Sequence, residues 1–382
     1  MAKNISIFYA SRKGGHRFPT EALSGYLNLK YGNQLKVHVF NLLEKDKIGN
    51  FFEKLARQGD LLIPKIWRKG YRHLENDNRL FSSFSKFFLA LILSNPLLKI
   101  LRQATHKIDL ILSFQPEVNA VIPFIKNQIG TPIESVIVDY SAHSLWVNEH
   151  IDFYYVGNDF VANRLIKLGV PSSKIKITGI PQKLTFLNAL KIPAPDQRHG
   201  LGLKSNIPTV TVKGGCLGKM VDYYEIIKSI IQTGFNCQVI VVFGKNVNAY
   251  KRCLPLIEQA KITIKPCVNL PDIAQVMQAA DIIITKPGAV TISEALTLGK
   301  PLILLTPKAG SAQVLTFAQN IVAAGAGLHI SDTATVGCLI QQLFGNPFQL
   351  SQMAEKAKAL GRLNRTATQT IAENILKPLD VA

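Results

Sequence analysis

Acidic residues are scarce in this chain of 382 residues, which holds 25 Asp and Glu against 44 Lys and Arg and carries a formal net charge of +19 at pH 7. Such a charge favours an anionic partner: nucleic acid, anionic lipid or a phosphorylated substrate. The chain also lacks zinc-finger spacing, an RNP-type aromatic motif and a long basic tail. We therefore expect no nucleic acid among its partners.

Cysteine is sparse as well. The five cysteines all lie in the second half and form no C-x-x-C pair, which argues against a zinc site and against a disulfide framework. The N-terminal residues lack the charged start and long apolar core of a signal peptide, so the sequence predicts a cytoplasmic protein.

Long apolar runs are missing too. The most apolar segment, residues 80–101, is interrupted by Lys86 and Pro96, and its clean apolar core is far shorter than the ~20 residues of a membrane span. Residues 51–107 around it hold eleven basic and four acidic residues among large aromatic side chains. This mixture favours a surface that lies on anionic lipid, with a solvated basic face as the alternative. The expected membrane contacts include Trp67, Arg68, Lys69, Phe87 and Phe88.

Short apolar runs rich in β-branched residues alternate with helical patterns in both halves of the chain. Such alternation predicts an α/β protein with two parallel sheets, and hence two Rossmann-like domains. Pro, Gly and charged residues interrupt both patterns over 190–208, which predicts domains at 1–189 and 200–365. Ligands of such sheets bind at the carboxyl ends of the strands, so we expect binding between the two domains.

The first motif is SRKGGHRFPTEAL, residues 11–23, where a strand runs into Gly14-Gly15 and a helix begins near Pro19. Backbone N–H groups and the positive end of a helix dipole meet there, which suits an anion or a polar headgroup. His16 is a candidate general base, because histidine as a residue type ordinarily titrates near working pH. The alternative is a histidine that only caps or packs.

The second motif is ADIIITKPGAVTISEALTLGKPLILLTP, residues 280–307. A strand ends at Lys286, a tight turn follows, and a helix opens whose first turns carry Ser293 and Glu294. Such a helix start suits a diphosphate, and Glu294 could accept both hydroxyls of a ribose. The alternative is a glutamate that only complements the helix dipole.

These motifs, with VKGGCLGKM at 212–220, VIVVFGKN at 239–246 and residues 135–181, resemble the monogalactosyldiacylglycerol synthase and processive diacylglycerol glucosyltransferase family. That family is related to the peptidoglycan N-acetylglucosaminyltransferase that forms lipid II. The residues GGHRFP of this chain also resemble the N-terminal loop of that enzyme. The similarity covers nearly the whole chain in the right order.

The resemblance implies a GT-B fold: an N-terminal acceptor domain, a C-terminal nucleotide-sugar domain, an interdomain cleft between them, and a last helix within 366–382 that crosses back to the first domain. His16 would lie at the acceptor hydroxyl, together with Gly14 and Gly15. Enzymes of this kind invert the anomeric centre without a bound metal, so the resemblance implies no cofactor besides the UDP-sugar donor. The residues implied at the donor are Gly214, Gly215, Gly218, Lys286, Gly288, Ala289, Val290, Thr291, Glu294 and Gln313.

Two departures from the family pattern bear on the chemistry. Ser11 stands where galactolipid synthases carry an Asp, so the base is His16 itself or an acid from elsewhere, such as Asp139 or Glu117. Only Gln313 matches the family's sugar-binding Gly-Gln-Glu, which leaves the donor sugar unassigned. Asp139, His143 and Trp146 follow a predicted strand end, where acceptor contacts are expected, although such residues can also be structural.

Three functions follow from this reading. The first is a peripheral membrane enzyme that transfers a hexose from a UDP-sugar to a lipid hydroxyl such as that of diacylglycerol. The second keeps the fold and transfers N-acetylglucosamine to an acceptor linked to polyprenyl diphosphate. The third is a protein that binds UDP-sugar or anionic lipid without turnover.

Overall fold

The computed structural model divides the chain into two compact units, Met1–Gln182 with Thr366–Ala382, and Lys183–Arg365. Each unit contains a parallel six-stranded sheet with helices, which confirms the predicted α/β class. The structure describes residues 2–9, 15–42, 73–74, 79–103, 107–125, 130–215, 218, 221–306 and 312–381.

The first unit alternates strands and helices along the chain. Its strands are β1 (Lys3–Tyr9), β2 (Leu35–Asn41), β3 (Leu110–Ser113), β4 (Ile133–Ile137), β5 (Phe153–Val156) and β6 (Ile175–Ile177). Its helices in this stretch are α1 (Arg17–Tyr31), α2 (Arg79–Gln103), α3 (Pro116–Ile125) and α4 (Asp159–Lys167).

The strand order of the first sheet is β2-β1-β3-β4-β5-β6. Ile5 of β1 pairs with Val37 on one side and with Leu110 on the other, so β1 is a central strand. Six of its seven residues are buried, as expected for a strand covered on both faces. The order reverses beside β1, which places the topological switch point of this sheet between β1 and β3.

The second unit repeats the alternation. Its strands are β7 (Thr209–Lys213), β8 (Gln238–Gly244), β9 (Thr263–Val268), β10 (Ile282–Thr285), β11 (Leu302–Leu305) and β12 (Gly327–Ile330). Its helices are α5 (Leu184–Ala189), α6 (Ala194–Gly200), α7 (Tyr223–Gln232), α8 (Val247–Glu258), α9 (Ala274–Gln278), α10 (Ala289–Thr297), α11 (Ala312–Ala323), α12 (Val336–Gly345) and α13 (Pro347–Leu360). The last helix, α14 (Ala367–Leu376), belongs to the first unit, where it contacts α1.

The second sheet has the order β12-β11-β10-β7-β8-β9, and β7 is its central strand. Val210 of β7 pairs with Val239 of β8 and with Ile282 of β10. The switch point therefore lies between β7 and β10, whose following loops carry the two glycine-containing motifs.

The boundary between the units lies at Gln182, ahead of the predicted end at residue 189. The reason is packing, because α5 contacts α9 and α10 of the second unit. The predicted linker is also structured. It contains α6, from which the Arg198 guanidinium donates to Asp281 Oδ1 at 2.5 Å and to Ala279 O at 2.8 Å.

A buried polar cluster joins the last three strands of the first sheet to α14. Tyr155 OH donates to Glu134 Oε2 at 2.8 Å. Lys176 Nζ lies 4.0 Å from the centre of the Phe153 ring and donates to Asn374 Oδ1 at 2.8 Å. Burial raises the pKa of Glu134 to about 7, although the Tyr155 hydrogen bond and the Lys176 charge both lower it.

Replacing Glu134 by Gln should remove a pH-dependent loss of stability from the first unit. The pKa of Glu134 is about 7 in the folded chain and 4.5 in the absence of the fold. The native state therefore holds the proton more tightly, and the wild type loses about 3 kcal/mol of stability as pH rises from 4.5 through 7. The variant should be more stable by this amount at pH 8 and little changed at pH 4.5.

Urea unfolding followed by tryptophan fluorescence measures this difference, because Trp146 is fully buried in the first unit. Glu149→Gln is the matched control, since the Glu149 side chain is 85% exposed. Equal pH dependence in wild type and Glu134→Gln would contradict the prediction.

Candidate functional site

In the first unit, His16 lies at the switch point between β1 and β3. It occupies the N-cap position of α1, but its side chain makes no capping hydrogen bond. Its Nδ1 instead lies 2.5 Å from Phe114 O, just beyond the end of β3. A carbonyl only accepts hydrogen bonds, so Nδ1 carries a proton, and in the neutral tautomer of such an imidazole the lone pair is on Nε2.

Asp139 and Glu117 accompany His16. Asp139 Oδ2 lies 3.9 Å from His16 Nε2, and its side chain is 8% exposed. Burial raises the pKa of Asp139, whereas the nearby His16 lowers it and Glu117 raises it. Glu117 lies in the first turn of α3, and among the described residues its Oε2 has no hydrogen-bond partner. The structure thus brings together the three residues that the sequence predicts as catalytic.

Trp146 packs beside His16. Its ring is fully buried and stacks on the imidazole with centroids 6.2 Å apart. Burial and the charge of Arg164 lower the pKa of His143 to about 3. His143 is therefore neutral at physiological pH and does not supply an acidic proton there.

The loop between β4 and β5, which carries His143 and Trp146, is held by amide groups that the sequence analysis did not identify. Asn119 Nδ2 of α3 donates to Trp146 O at 2.8 Å and to Ser135 Oγ at 3.0 Å. Asn148 Nδ2 donates to Asn119 O at 2.7 Å. Lys86 Nζ of α2 donates to Val147 O at 2.9 Å, so α2 also supports this loop.

In the second unit, the glycine loop after β7 requires its glycines. Gly215 has a φ of +79° and Gly218 a φ of +64°, in the region that disfavours other residues. A Cβ on Gly218 would also collide with Phe243 O at the end of β8. A Cβ on Gly215 would lie 3.1 Å from Lys286 Cε, so the loop after β7 and the loop after β10 are in close contact.

Tyr223 fixes the start of this loop. Its hydroxyl accepts from Gly214 N and donates to Val242 O, both at 2.8 Å, and the side chain is buried. Asn246 fixes the other end, because its Nδ2 donates to Gly218 O at 2.7 Å. The sequence analysis missed both residues.

The helix after β10 offers backbone donors. Gly288 is the N-cap of α10 and has no side chain to satisfy the first N–H groups. Ile292 N bonds back to Gly288 O, so the N–H groups of Ala289, Val290 and Thr291 have no acceptor within the helix. These N–H groups and the positive end of the helix dipole suit an anion.

Glu294, in the second turn of α10, forms an ion pair with Lys213 at the end of β7. Lys213 Nζ donates to Glu294 Oε2 at 2.8 Å, and each side chain is 7% exposed. The sequence analysis predicted Glu294 and missed Lys213, which is the only charged residue in the strand TVTVK. Gln313, the remaining predicted donor contact, lies half-buried in the first turn of α11.

A cavity of about 560 Å³ adjoins the glycine loop. Tyr223 and Asn246, which hold that loop, also line the cavity, and Asp222, Arg252, Thr306 and Ser331 add polar groups to its wall. Its volume falls in the range of small-molecule sites.

The predicted membrane contacts are only partly described. Gly14, Trp67, Arg68 and Lys69 lie outside the described residues, whereas Gly15 precedes α1 and Phe87 and Phe88 lie on α2, half exposed. Leu80, Phe84 and Leu91 of α2 are also exposed, by 86%, 66% and 64%. Within the described part of the chain no single helix meets the length and hydropathy of a membrane span; Leu80–Leu91 and Leu93–Lys99 meet them only together, with a 52° bend between them.

Two family models match the N-terminal and C-terminal parts of the chain. The family model for monogalactosyldiacylglycerol (MGDG) synthase matches residues 16–181, and the model for the glycosyltransferase family 28 C-terminal domain matches residues 209–375. The processive diacylglycerol beta-glucosyltransferase of Bacillus pumilus is 30% identical over 299 residues, which cover 78% of this chain and 75% of the relative. The chain belongs to the family of MGDG synthases and processive diacylglycerol glucosyltransferases. It is therefore an enzyme of this class, as the motifs predict.

Solved structures agree on the fold. MurG of Acinetobacter baumannii aligns over 98% of this chain and 100% of its own, with a TM-score of 0.64 and 16% identity. HepE of Anabaena, solved in complex with UDP, aligns over the same shares with a TM-score of 0.56 and 16% identity. The MGDG synthase family member described here thus has the predicted GT-B fold.

Replacing Tyr223 by Phe should loosen the glycine loop. The change leaves Gly214 N and Val242 O buried without their partner, which costs about 1 to 3 kcal/mol. Amide exchange at Gly214 should therefore become about tenfold faster or more, as measured by hydrogen–deuterium exchange and mass spectrometry of peptides over 209–218. Tyr224→Phe is the matched control, because Tyr224 lies outside the loop and contacts Arg252. Unchanged exchange in Tyr223→Phe would show that its hydroxyl does not hold the loop.

Proposed function

We propose that this enzyme transfers a hexose from a UDP-sugar to the hydroxyl of a membrane lipid, with diacylglycerol as the acceptor. The observation that carries the proposal is the turn of the second unit where Gly215, Lys286 and the start of α10 meet, an arrangement that suits an anion. The acceptor rests on the relative from Bacillus pumilus, which is named for diacylglycerol, and the nucleotide is supported by the UDP complex of HepE.

The donor fits the second unit by charge and by hydrogen bonding. The diphosphate would lie against the N–H groups at the start of α10, with the Lys286 ammonium alongside. Glu294, one turn further into the helix, would accept the ribose hydroxyls.

His16 would act as the base at the acceptor. Its Nε2 takes the proton of the lipid hydroxyl while the oxygen forms a bond to the anomeric carbon of the sugar. The bond from that carbon to the diphosphate oxygen breaks, and UDP leaves with the electron pair. Attack opposite the leaving group inverts the anomeric centre. Asp139, 3.9 Å away, meets the positive charge that the imidazole gains.

The leaving diphosphate needs a positive field, which residues of this chain would supply in place of a metal. The N–H groups at the start of α10 and the Lys286 ammonium, which lies beside Gly215, would together supply such a field. Metal independence is therefore part of the proposal.

Helix α2 would rest on the membrane. Its exposed Phe84, Phe87 and Phe88 suit the headgroup boundary, and the net charge of +19 favours anionic lipid. The same helix contacts the loop between β4 and β5, because Lys86 Nζ donates to Val147 O. A lipid taken from this surface would therefore reach the loop that carries Trp146.

The proposal is tested by incubating purified protein with radiolabelled UDP-glucose, UDP-galactose or UDP-N-acetylglucosamine over vesicles of diacylglycerol and anionic lipid. Organic extraction should recover label in a glycosyl diacylglycerol, with and without chelator. Transfer that needs added polyprenyl-diphosphate acceptor would reject diacylglycerol. UDP binding with no transfer to either acceptor would make this a binding protein.

His16→Asn should separate base catalysis from positioning, because the Asn amide can keep the donor to Phe114 O but offers no base. Turnover in the transfer assay should fall about a hundredfold or more. UDP affinity, measured by calorimetry, should stay the same. His199→Asn, on an exposed histidine of the second unit, is the control. Near wild-type turnover in His16→Asn would remove His16 from the chemistry.

Replacing Phe84, Phe87 and Phe88 together by Ser should weaken binding to anionic vesicles. Each ring contributes about 1 kcal/mol on partial burial in the interface, so partitioning should drop roughly a hundredfold. Vesicle sedimentation measures this, and Phe348→Ser is the control, because Phe348 is 72% exposed on α13 of the second unit. Equal partitioning of the triple variant and wild type would exclude α2 as the docking surface.

A further inference from the structure

Lys213 is an unusual residue for the end of a central strand. Lysine is rarely buried this deeply unless it is paired, and here its ammonium is paired with Glu294 at 2.8 Å. In the sheet, Lys213 pairs with Thr285 of β10, the residue before Lys286. The ion pair therefore lies at the switch point itself, beside the loops that would hold the donor.

Stability does not explain this pair. Two buried charges lose their hydration, and apolar residues of similar volume are often as stable or more so. The rest of β7 consists of Thr and Val, which fill the same core without charge. A buried carboxylate aimed by a fixed cation is, by contrast, a well-ordered hydrogen-bond acceptor.

We infer that Lys213 is a positioning residue for the donor nucleotide. It holds Glu294 through Oε2 and so fixes the plane of the carboxylate. A carboxylate has about four acceptor sites, so Glu294 retains acceptors for two neighbouring ribose hydroxyls while Oε2 binds Lys213. The inference rests on the proposed UDP-sugar donor, and it adds that ribose recognition requires Lys213.

The inference makes a prediction that a purely structural pair does not make. If Lys213 acts through Glu294, its removal weakens only those nucleotides that carry ribose hydroxyls. If it contacts the diphosphate, or only maintains the fold, its removal weakens every uridine diphosphate alike. The comparison of UDP with 2′,3′-dideoxy-UDP separates these cases.

The experiment is calorimetric titration of the full chain with both nucleotides. The variants are Lys213→Met, Glu294→Gln and the double variant, with Lys228→Met as the control. Lys228 is exposed on α7 and lies 3.9 Å from Glu225. Wild type and Lys228→Met should prefer UDP by about tenfold or more, as expected for paired hydroxyls.

Lys213→Met should lose most of that preference through weaker UDP binding and should bind dideoxy-UDP within about twofold of wild type. The double variant should resemble each single variant, because the two residues act as one unit. Should Lys213→Met fail to fold by circular dichroism, the double variant carries the test, since it leaves no unpaired buried charge.

Three results would overturn the inference. The first is an equal loss of affinity for both nucleotides in Lys213→Met, and the second is an undiminished preference in the double variant. The third is a wild type that binds both nucleotides equally, which would remove ribose recognition by Glu294 but leave the proposed transfer intact. A wild type that binds no UDP would overturn the proposed donor and this inference together.

Discussion

Both candidate sites depend on one constraint of parallel sheets, which is that strand order reverses beside the first strand. At that point the loops after two neighbouring strands run to opposite faces and leave a crevice at the strand ends. In the first unit the loops after β1 and β3 bring His16 to Phe114. In the second unit the loops after β7 and β10 bring Gly215 to Lys286. The backbone topology thus determines where each site lies, and the side chains there determine its chemistry.

Burial then gives similar side chains different roles. The Phe114 carbonyl accepts a hydrogen bond from His16 Nδ1 and so orients Nε2 as the second ring nitrogen, whereas burial and Arg164 hold the pKa of His143 near 3. Burial raises the pKa of Asp139 and of Glu134, but only Asp139 faces an imidazole. A residue type therefore does not identify a catalytic group until its partner is known.

The sequence was sufficient for most of the fold because local patterns determine it. The predicted alternation of strands and helices is present in the described residues of both units. One strand, Gly327–Ile330, is a short edge strand that begins with glycine and is half-buried, so it has no strong apolar pattern. The observed boundary at Gln182 lies seven residues before the predicted one at 189, because α5 packs on the second unit. Local periodicity does not reveal such packing.

The candidate site was only partly predictable for a related reason. His16, Asp139 and Glu294 stand in recognisable motifs at strand ends, but their partners do not. Phe114 contributes only a backbone carbonyl, 98 residues from His16, and Lys213 lies 81 residues from Glu294.

The aspartate that the resemblance implies at position 11 is another case in which a partner comes from a distant part of the chain. Ser11 stands where related enzymes carry an acid, yet Asp139 approaches His16 from a different strand end. A carboxylate near the imidazole stabilises its protonated form wherever in the chain it originates, because the interaction depends on distance and burial. The loss of the acid in SRKGGHRFP is therefore compatible with base chemistry at His16.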